Sequence, residues 1–120
     1  MRRLFRTRKQ DKTKSIRFPV FANYEIKIVF THDFEKSFKR FEYLKNEKPD
    51  KDVDGITCQV IGEGLTYIFI KYGSDTGTMA HEAYHAVCNL LRDRNAELSD
   101  EVVAYHLGYL VNKIEELALK

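Results

Sequence analysis

The sequence predicts a small α+β domain whose elements follow the order β-α-β-β-α-α. Residues 24–30 alternate between apolar and polar side chains, which is the period of a strand with one buried face. Residues 56–72 hold two further segments rich in β-branched and aromatic side chains, joined by a glycine-containing turn. Apolar residues recur at helical spacing before this pair and again over residues 76–117. This pattern favours a short antiparallel or mixed sheet packed against helices.

Length and composition fit a single domain outside the membrane. The chain has 120 residues, of which 43% are hydrophobic, enough for one ordinary core. It has no run of about 18 apolar residues and no apolar segment typical of a secretion signal near Met1. Cys58 and Cys88 do not form a disulfide framework, so free thiols are the simpler interpretation. We therefore expect a cytoplasmic protein.

Charge is distributed unevenly along the chain. Residues 1–17 carry eight Lys or Arg and one Asp, a net charge of +7, which leaves −5 for the remainder of a chain whose net charge is +2. We predict a flexible basic arm over residues 1–17 and one domain over residues 18–120. The arm can attract phosphate, including weak contact with nucleic acid, or serve only as a solvated tail. We favour the tail, because no motif and no pattern of aromatic residues interleaved with the basic ones sharpens the patch.

Turn and capping residues bound the individual elements. Thr31 is expected to cap the first helix, which follows the strand over residues 24–30. The aromatic stripe of that helix is expected to face the core, and consists of Phe34, Phe38, Phe41 and Leu44. The remaining boundaries are a loop over 46–55, strands over 56–61 and 65–72, a helix over 76–91 and a last helix capped by Ser99.

The segment His81-Glu82-Ala83-Tyr84-His85 carries the clearest chemical signal. Its pattern is H-E-x-x-H, and residues four apart on a helix lie on one face, about 6 Å apart. His81 and His85 can therefore bind one metal ion, while the Glu82 carboxylate can reach a water at an open coordination position. The alternative is that both histidines are ordinary helix residues.

A catalytic zinc site usually needs a third protein ligand, and Glu101 is our candidate. It shares a helical face with Ala104 and Gly108, whose small side chains would let this face approach the histidine helix closely. Another interpretation makes Glu101 only a partner of the helix dipole, with Glu97 or Asp100 as the ligand. Cys88, one turn beyond His85, is expected to be a buried thiol rather than a fourth ligand.

Together these residues resemble the gluzincin metallopeptidases, in which the H-E-x-x-H helix is followed by a helix bearing E-x-x-A. The likeness extends to minimal gluzincins and to small predicted metallopeptidases encoded by bacteriophages, and it covers roughly residues 65–110. It implies a small zincin-like domain in which His81, His85 and Glu101 bind Zn²⁺ and Glu82 is the general base. The implied activity is a zinc-dependent peptidase or amide hydrolase acting on a peptide or protein.

Two further expectations come with the resemblance. Relatives often carry Asp four residues after the ligand glutamate, where it orients a histidine, and this chain has Tyr105 there. The Tyr105 phenol can still hydrogen-bond, and it is also a candidate oxyanion donor together with His106 and Tyr109. In zincin-like enzymes the strand before the active helix is a sheet edge that holds extended peptide, which here would be the strand over residues 66–72.

One alternative function belongs to another class. The chain could be a non-catalytic zincin-like module that binds protein or nucleic acid through its basic arm. The presence of Glu82 favours the enzyme, because a purely structural metal site has no use for a base.

Overall fold

The computed structural model describes residues 10–120, and the first nine residues lie outside this part. A four-stranded mixed sheet carries two long helices on one face and a short helix with its following turns on the other. The elements are β1 Lys12–Ile16, β2 Glu25–Thr31, α1 Phe34–Phe38, β3 Gly55–Val60, β4 Leu65–Lys71, α2 Thr76–Asp93 and α3 Asp100–Ala118. One turn of 3-10 helix, Pro19–Phe21, lies between β1 and β2. The predicted α+β class is therefore confirmed.

The sheet has the strand order β1-β2-β4-β3. β2 and β4 are parallel, with Ile28 opposite Ile68, whereas the two outer strands each pair antiparallel with their neighbour. From β2 onward the elements follow the predicted order, and the predicted strands and long helices agree with the observed ones to within a few residues.

Each face of the sheet has its own core. Alternate residues of β2 and β4 point to the helix side, where Ile28 and Ile68 pack against α2 and α3. The intervening residues, among them Val29 and Phe69, point to the other side. There they are covered by the predicted aromatic stripe, although α1 itself ends at Phe38. The α1 cap is Asp33, whose side chain accepts a hydrogen bond from the Lys36 amide, rather than the predicted Thr31.

The predicted basic arm is wrong over residues 12–16, because these residues form β1. Ile16 pairs with Ile26 and is only 4% exposed. Lys12 lies over the Phe30 ring, and its ammonium donates to the Leu117 carbonyl oxygen at 2.9 Å. The domain thus begins before residue 18, and the prediction of a flexible arm over residues 1–9 falls outside the described part of the chain.

The expected peptide-binding edge is also wrong. β4 lies between β2 and β3, so it is a central strand and cannot pair with an added peptide. The edge next to the H-E-x-x-H helix is β3, which contacts α2 directly through Thr57.

Within residues 10–120, no helix is both long enough and apolar enough to cross a bilayer.

The integration of β1 can be tested by truncating its buried side chain. Ile16→Ala should lower the free energy of unfolding by about 2–4 kcal/mol, because it leaves a cavity against β2. Urea denaturation followed by circular dichroism measures the change. The matched control is Thr13→Ala, at an exposed position of the same strand, which should cost far less. Equal effects of the two substitutions would show that β1 is not part of the folded sheet.

Candidate metal centre

Helix α2 presents the two histidines of the motif to solvent. The helix is capped by Asp75, whose carboxylate accepts a hydrogen bond from the Thr78 amide at 2.9 Å. His81 and His85 lie one turn apart on the exposed face, with their rings nearly perpendicular and their centroids 4.7 Å apart. Their Nε2 atoms are 3.2 Å apart, close enough to share a proton or a metal ion.

The separation of these two nitrogens fits zinc. Nitrogen ligands lie about 2.0–2.1 Å from zinc, and two of them in tetrahedral geometry are about 3.3 Å apart. The observed distance of 3.2 Å between the Nε2 atoms is within a small fraction of an ångström of that value. His81 and His85 could therefore bind one ion without a change of helix geometry.

Glu82 points in a different direction, into the junction between α2 and the edge strand β3. The Glu82 side chain is 9% exposed, whereas the His81 side chain is 68% exposed. Its Oε1 accepts a hydrogen bond from the Thr57 hydroxyl at 2.6 Å, and its Oε2 lies 4.0 Å from the His81 Nε2. One carboxylate oxygen is thus held by the sheet while the other lies beside the histidine pair.

Gly55 allows this approach. A Cβ atom added at Gly55 would lie 2.7 Å from the Glu82 Cγ and 3.1 Å from the Thr78 Cγ2. Any larger residue would overlap the aliphatic part of the Glu82 side chain. Neither Gly55 nor Thr57 carries a motif signal in the sequence: Gly55 ends the predicted loop over residues 46–55, and Thr57 lies in the predicted strand over residues 56–61.

Two open clefts meet at Gly55 and Glu82. The first lies toward the N-terminus of α2 and is lined by Val53, Asp54, Gly55, Asp75, Gly77, Thr78, His81 and Glu82. The second lies toward the middle of α2 and is lined by Asp50, Val53, Gly55, Ile56, Thr57, Glu82, His85 and Asn89. The motif residues therefore line concave surface along the edge of the sheet, where an extended molecule could reach them.

Glu101 lies in the first turn of α3, whose N-cap is Ser99 as predicted. Its side chain is exposed, as are those of the alternative ligands Glu97 and Asp100. Over residues 10–120, the structure contains no group of three His, Cys, Asp or Glu side chains arranged to hold a metal ion. The packing of the helices does not bring Glu101 together with the two histidines, so three-ligand coordination that includes Glu101 stays a prediction.

The predicted close approach through Ala104 and Gly108 is wrong. Both residues are exposed, and a Cβ atom added at Gly108 would meet nothing within 4 Å. Tyr105 on the same face is 72% exposed. α3 packs through a neighbouring face instead, on which Leu110 and Ile114 are fully buried.

The other candidate oxyanion donors have core contacts. His106 is buried, its Nδ1 lies 2.8 Å from the Val102 carbonyl oxygen, and its ring packs edge-on against Phe18. The Tyr109 ring also packs against Phe18, at 5.2 Å between centroids. Tyr105 is therefore the most accessible of the three.

Neither cysteine has the properties of a nucleophile. Cys88 is buried, as expected for an apolar thiol. Burial raises the pKa of Cys58 to about 11, with smaller contributions from Glu47 and Glu82. The thiolate of Cys58 is consequently scarce near neutral pH.

Comparison of the chain with protein-family models, with curated proteins and with solved structures finds no match. The resemblance to gluzincins accordingly depends on the motif residues themselves.

The close contact at Gly55 can be tested against a second glycine. Gly55→Ala should lower the free energy of unfolding by about 1–3 kcal/mol, because the added methyl group overlaps Glu82. Gly108→Ala should instead raise it by about 0.5–1 kcal/mol, because alanine is favoured in a helix and the position is open. Urea denaturation measures both. A destabilising Gly108→Ala would mean that the small face of α3 does contact another element.

Proposed function

We propose that the chain is a zinc-dependent peptidase or amide hydrolase of gluzincin type, with a small zincin-like fold and a cytoplasmic location. The observation that carries this proposal is the arrangement of Glu82 and the histidine pair on one helix. Two imidazoles with zinc-compatible spacing lie at the surface, and a buried, hydrogen-bonded carboxylate lies beside them. A site that bound metal only for stability would have no use for that carboxylate.

In this proposal His81 and His85 bind the zinc ion, and Glu101 completes the protein ligands from α3. When bound, the ion would supply a Lewis acid and lower the pKa of a coordinated water toward about 7. The exposed Tyr105 is the candidate donor to the oxyanion, since it is on the same face of α3 as Glu101.

Glu82 acts as the general base. Its Oε2 is the oxygen near the His81 Nε2, so it is the one that takes a proton from the attacking water. The same carboxyl group can then pass that proton to the leaving nitrogen of the amide. The Thr57 hydroxyl stays on Oε1 and leaves Oε2 to carry the proton.

The substrate is an extended peptide or protein segment that pairs with β3. The Lys71 amide donates to the Asp54 carbonyl oxygen at 2.9 Å, and bonding to β4 alternates along an antiparallel strand. Gly55, Thr57 and Gln59 therefore direct their main-chain N–H and C=O groups away from β4. A peptide added along this edge would run past Glu82 and both clefts.

Metal content provides the first test. Protein purified without chelator should contain one zinc per chain, and His85→Ala should lose it, because one imidazole of the pair is removed. Glu101→Ala should weaken zinc binding but not eliminate it, because both histidine ligands remain. Elemental analysis and a competition titration with a chromogenic chelator give the two measurements. Native protein that neither contains nor takes up zinc would contradict the proposal.

Glu82→Gln separates an enzyme from a binding module. Glutamine keeps the shape and can still bond to Thr57, so fold and zinc content should be unchanged. It cannot accept a proton from water, so the rate should fall by about 100- to 10,000-fold. Hydrolysis of a broad peptide library by wild type and variant is followed by mass spectrometry.

The outcomes of this comparison are distinct. Equal cleavage by wild type and Glu82→Gln would rule out Glu82 as the base. Zinc binding without cleavage of any peptide would favour the alternative, a non-catalytic module that binds protein or nucleic acid.

A further inference from the structure

Thr57 makes an unusual pair of contacts with the motif helix. Its hydroxyl lies 2.6 Å from the Glu82 Oε1 and 3.2 Å from the Glu82 main-chain carbonyl oxygen. A hydroxyl has one proton, and the shorter distance is typical of an O–H group that donates to a carboxylate. The β-branched side chain of Thr57 has few rotamers in a strand, so the direction of this donor is fixed by the sheet.

Gly55 contributes on the same side of β3. Residues two apart on a strand face the same way, and the missing side chain of Gly55 makes room for the Glu82 Cγ. The aliphatic part of Glu82 is thus confined by Gly55, while its carboxylate is held by Thr57. Only the direction of Oε2, toward the His81 Nε2, is left for chemistry.

We propose that Thr57 is a positioning residue for Glu82: its hydroxyl fixes one carboxylate oxygen so that the other faces the histidine pair. The inference rests on the proposed function for its catalytic consequence, but the orientation of Glu82 is a property of the chain alone. Thr57 also belongs to the strand that the substrate would pair with. Thr57 therefore connects the proposed base, Glu82, to the strand that would bind the peptide.

The orientation can be measured in metal-free protein without any assay of activity. An added Cβ atom at Gly55 would be 2.7 Å from the Glu82 Cγ, so the Gly55 Hα protons must be close to the Glu82 Hγ protons. Wild-type protein should show a strong nuclear Overhauser cross-peak between them. Thr57→Val, which keeps the volume and removes the donor, should weaken it strongly, because a buried carboxylate without its donor turns out toward water and draws the Cγ away from Gly55. Thr57→Ser should retain it.

Kinetics then tests whether the orientation matters for the reaction. Thr57→Val should lower kcat by about 10-fold or more with KM and zinc content little changed, since a hydrogen bond to a charged group is lost. Thr57→Ser should restore most of the rate. In a Glu82→Gln background, Thr57→Val should change kcat by less than about 2-fold, because the residue through which Thr57 acts is already inactive.

Thr13→Val is the matched control, since it makes the same substitution at an exposed position of the other edge strand. It should leave the cross-peak and the rate unchanged. Thr57→Ala replaces Thr57→Val if the latter does not fold. A cross-peak that is missing in wild type, or that persists unchanged without the hydroxyl, overturns the proposal, and so does an equal loss of kcat in both Glu82 backgrounds. If no peptide is cleaved but the cross-peak follows the hydroxyl, the positioning stands and the hydrolase assignment fails.

Discussion

The burial of the Glu82 carboxylate against the edge strand is the constraint on which the candidate site depends. A carboxylate removed from water is costly unless donors compensate it, and the Thr57 hydroxyl supplies one at 2.6 Å. The rotation of α2 about its own axis is set by its buried apolar face, which includes Ala83, Ala86 and Leu90, and the Glu82 contact is compatible with that rotation. Because successive helix residues are about 100° apart, turning Glu82 toward β3 turns His81 and His85 to solvent. The exposure of the histidine pair is thus a consequence of where its neighbour is buried.

Sheet topology explains why α2 meets an edge at all. β2 and β4 pair in parallel, and the intervening β3 turns back as a hairpin on the outer side of β4. β4 becomes a central strand with six of its seven residues buried, so it has no open edge beside the helix. α2 follows β4 directly and lies over the outer part of the sheet. There its Glu82 side chain contacts Gly55 and Thr57 of β3.

The sequence predicted those elements whose residue pattern is contained in the element and its immediate neighbours. The alternation of β2, the β3–β4 hairpin and the Ser99 cap are of this kind. β1 has the polar sequence KTKSI, and of its five residues only Ile16 is buried. Lys12 places its ammonium over the Phe30 and Tyr72 rings, a contact that its own sequence does not signal, so β1 could not be distinguished from a charged tail. Thr57 lies 25 residues before Glu82, and nothing in the motif indicates a partner at that distance.

The distance of Glu101 from the histidine pair is set by how α3 packs on α2, and not by the number of residues between them in the sequence. The Thr76 hydroxyl bonds to Glu115 at 3.0 Å, which fixes the end of α3 beside the start of an antiparallel α2. At 1.5 Å per residue, Glu101 is about 21 Å from Glu115 along the axis, whereas His85 is about 14 Å from Thr76. Glu101 therefore lies roughly 7 Å beyond His85, a little more than one helical turn. The two histidines are brought together within one helix, whereas an exposed carboxylate at that offset has to span the gap with its own side chain.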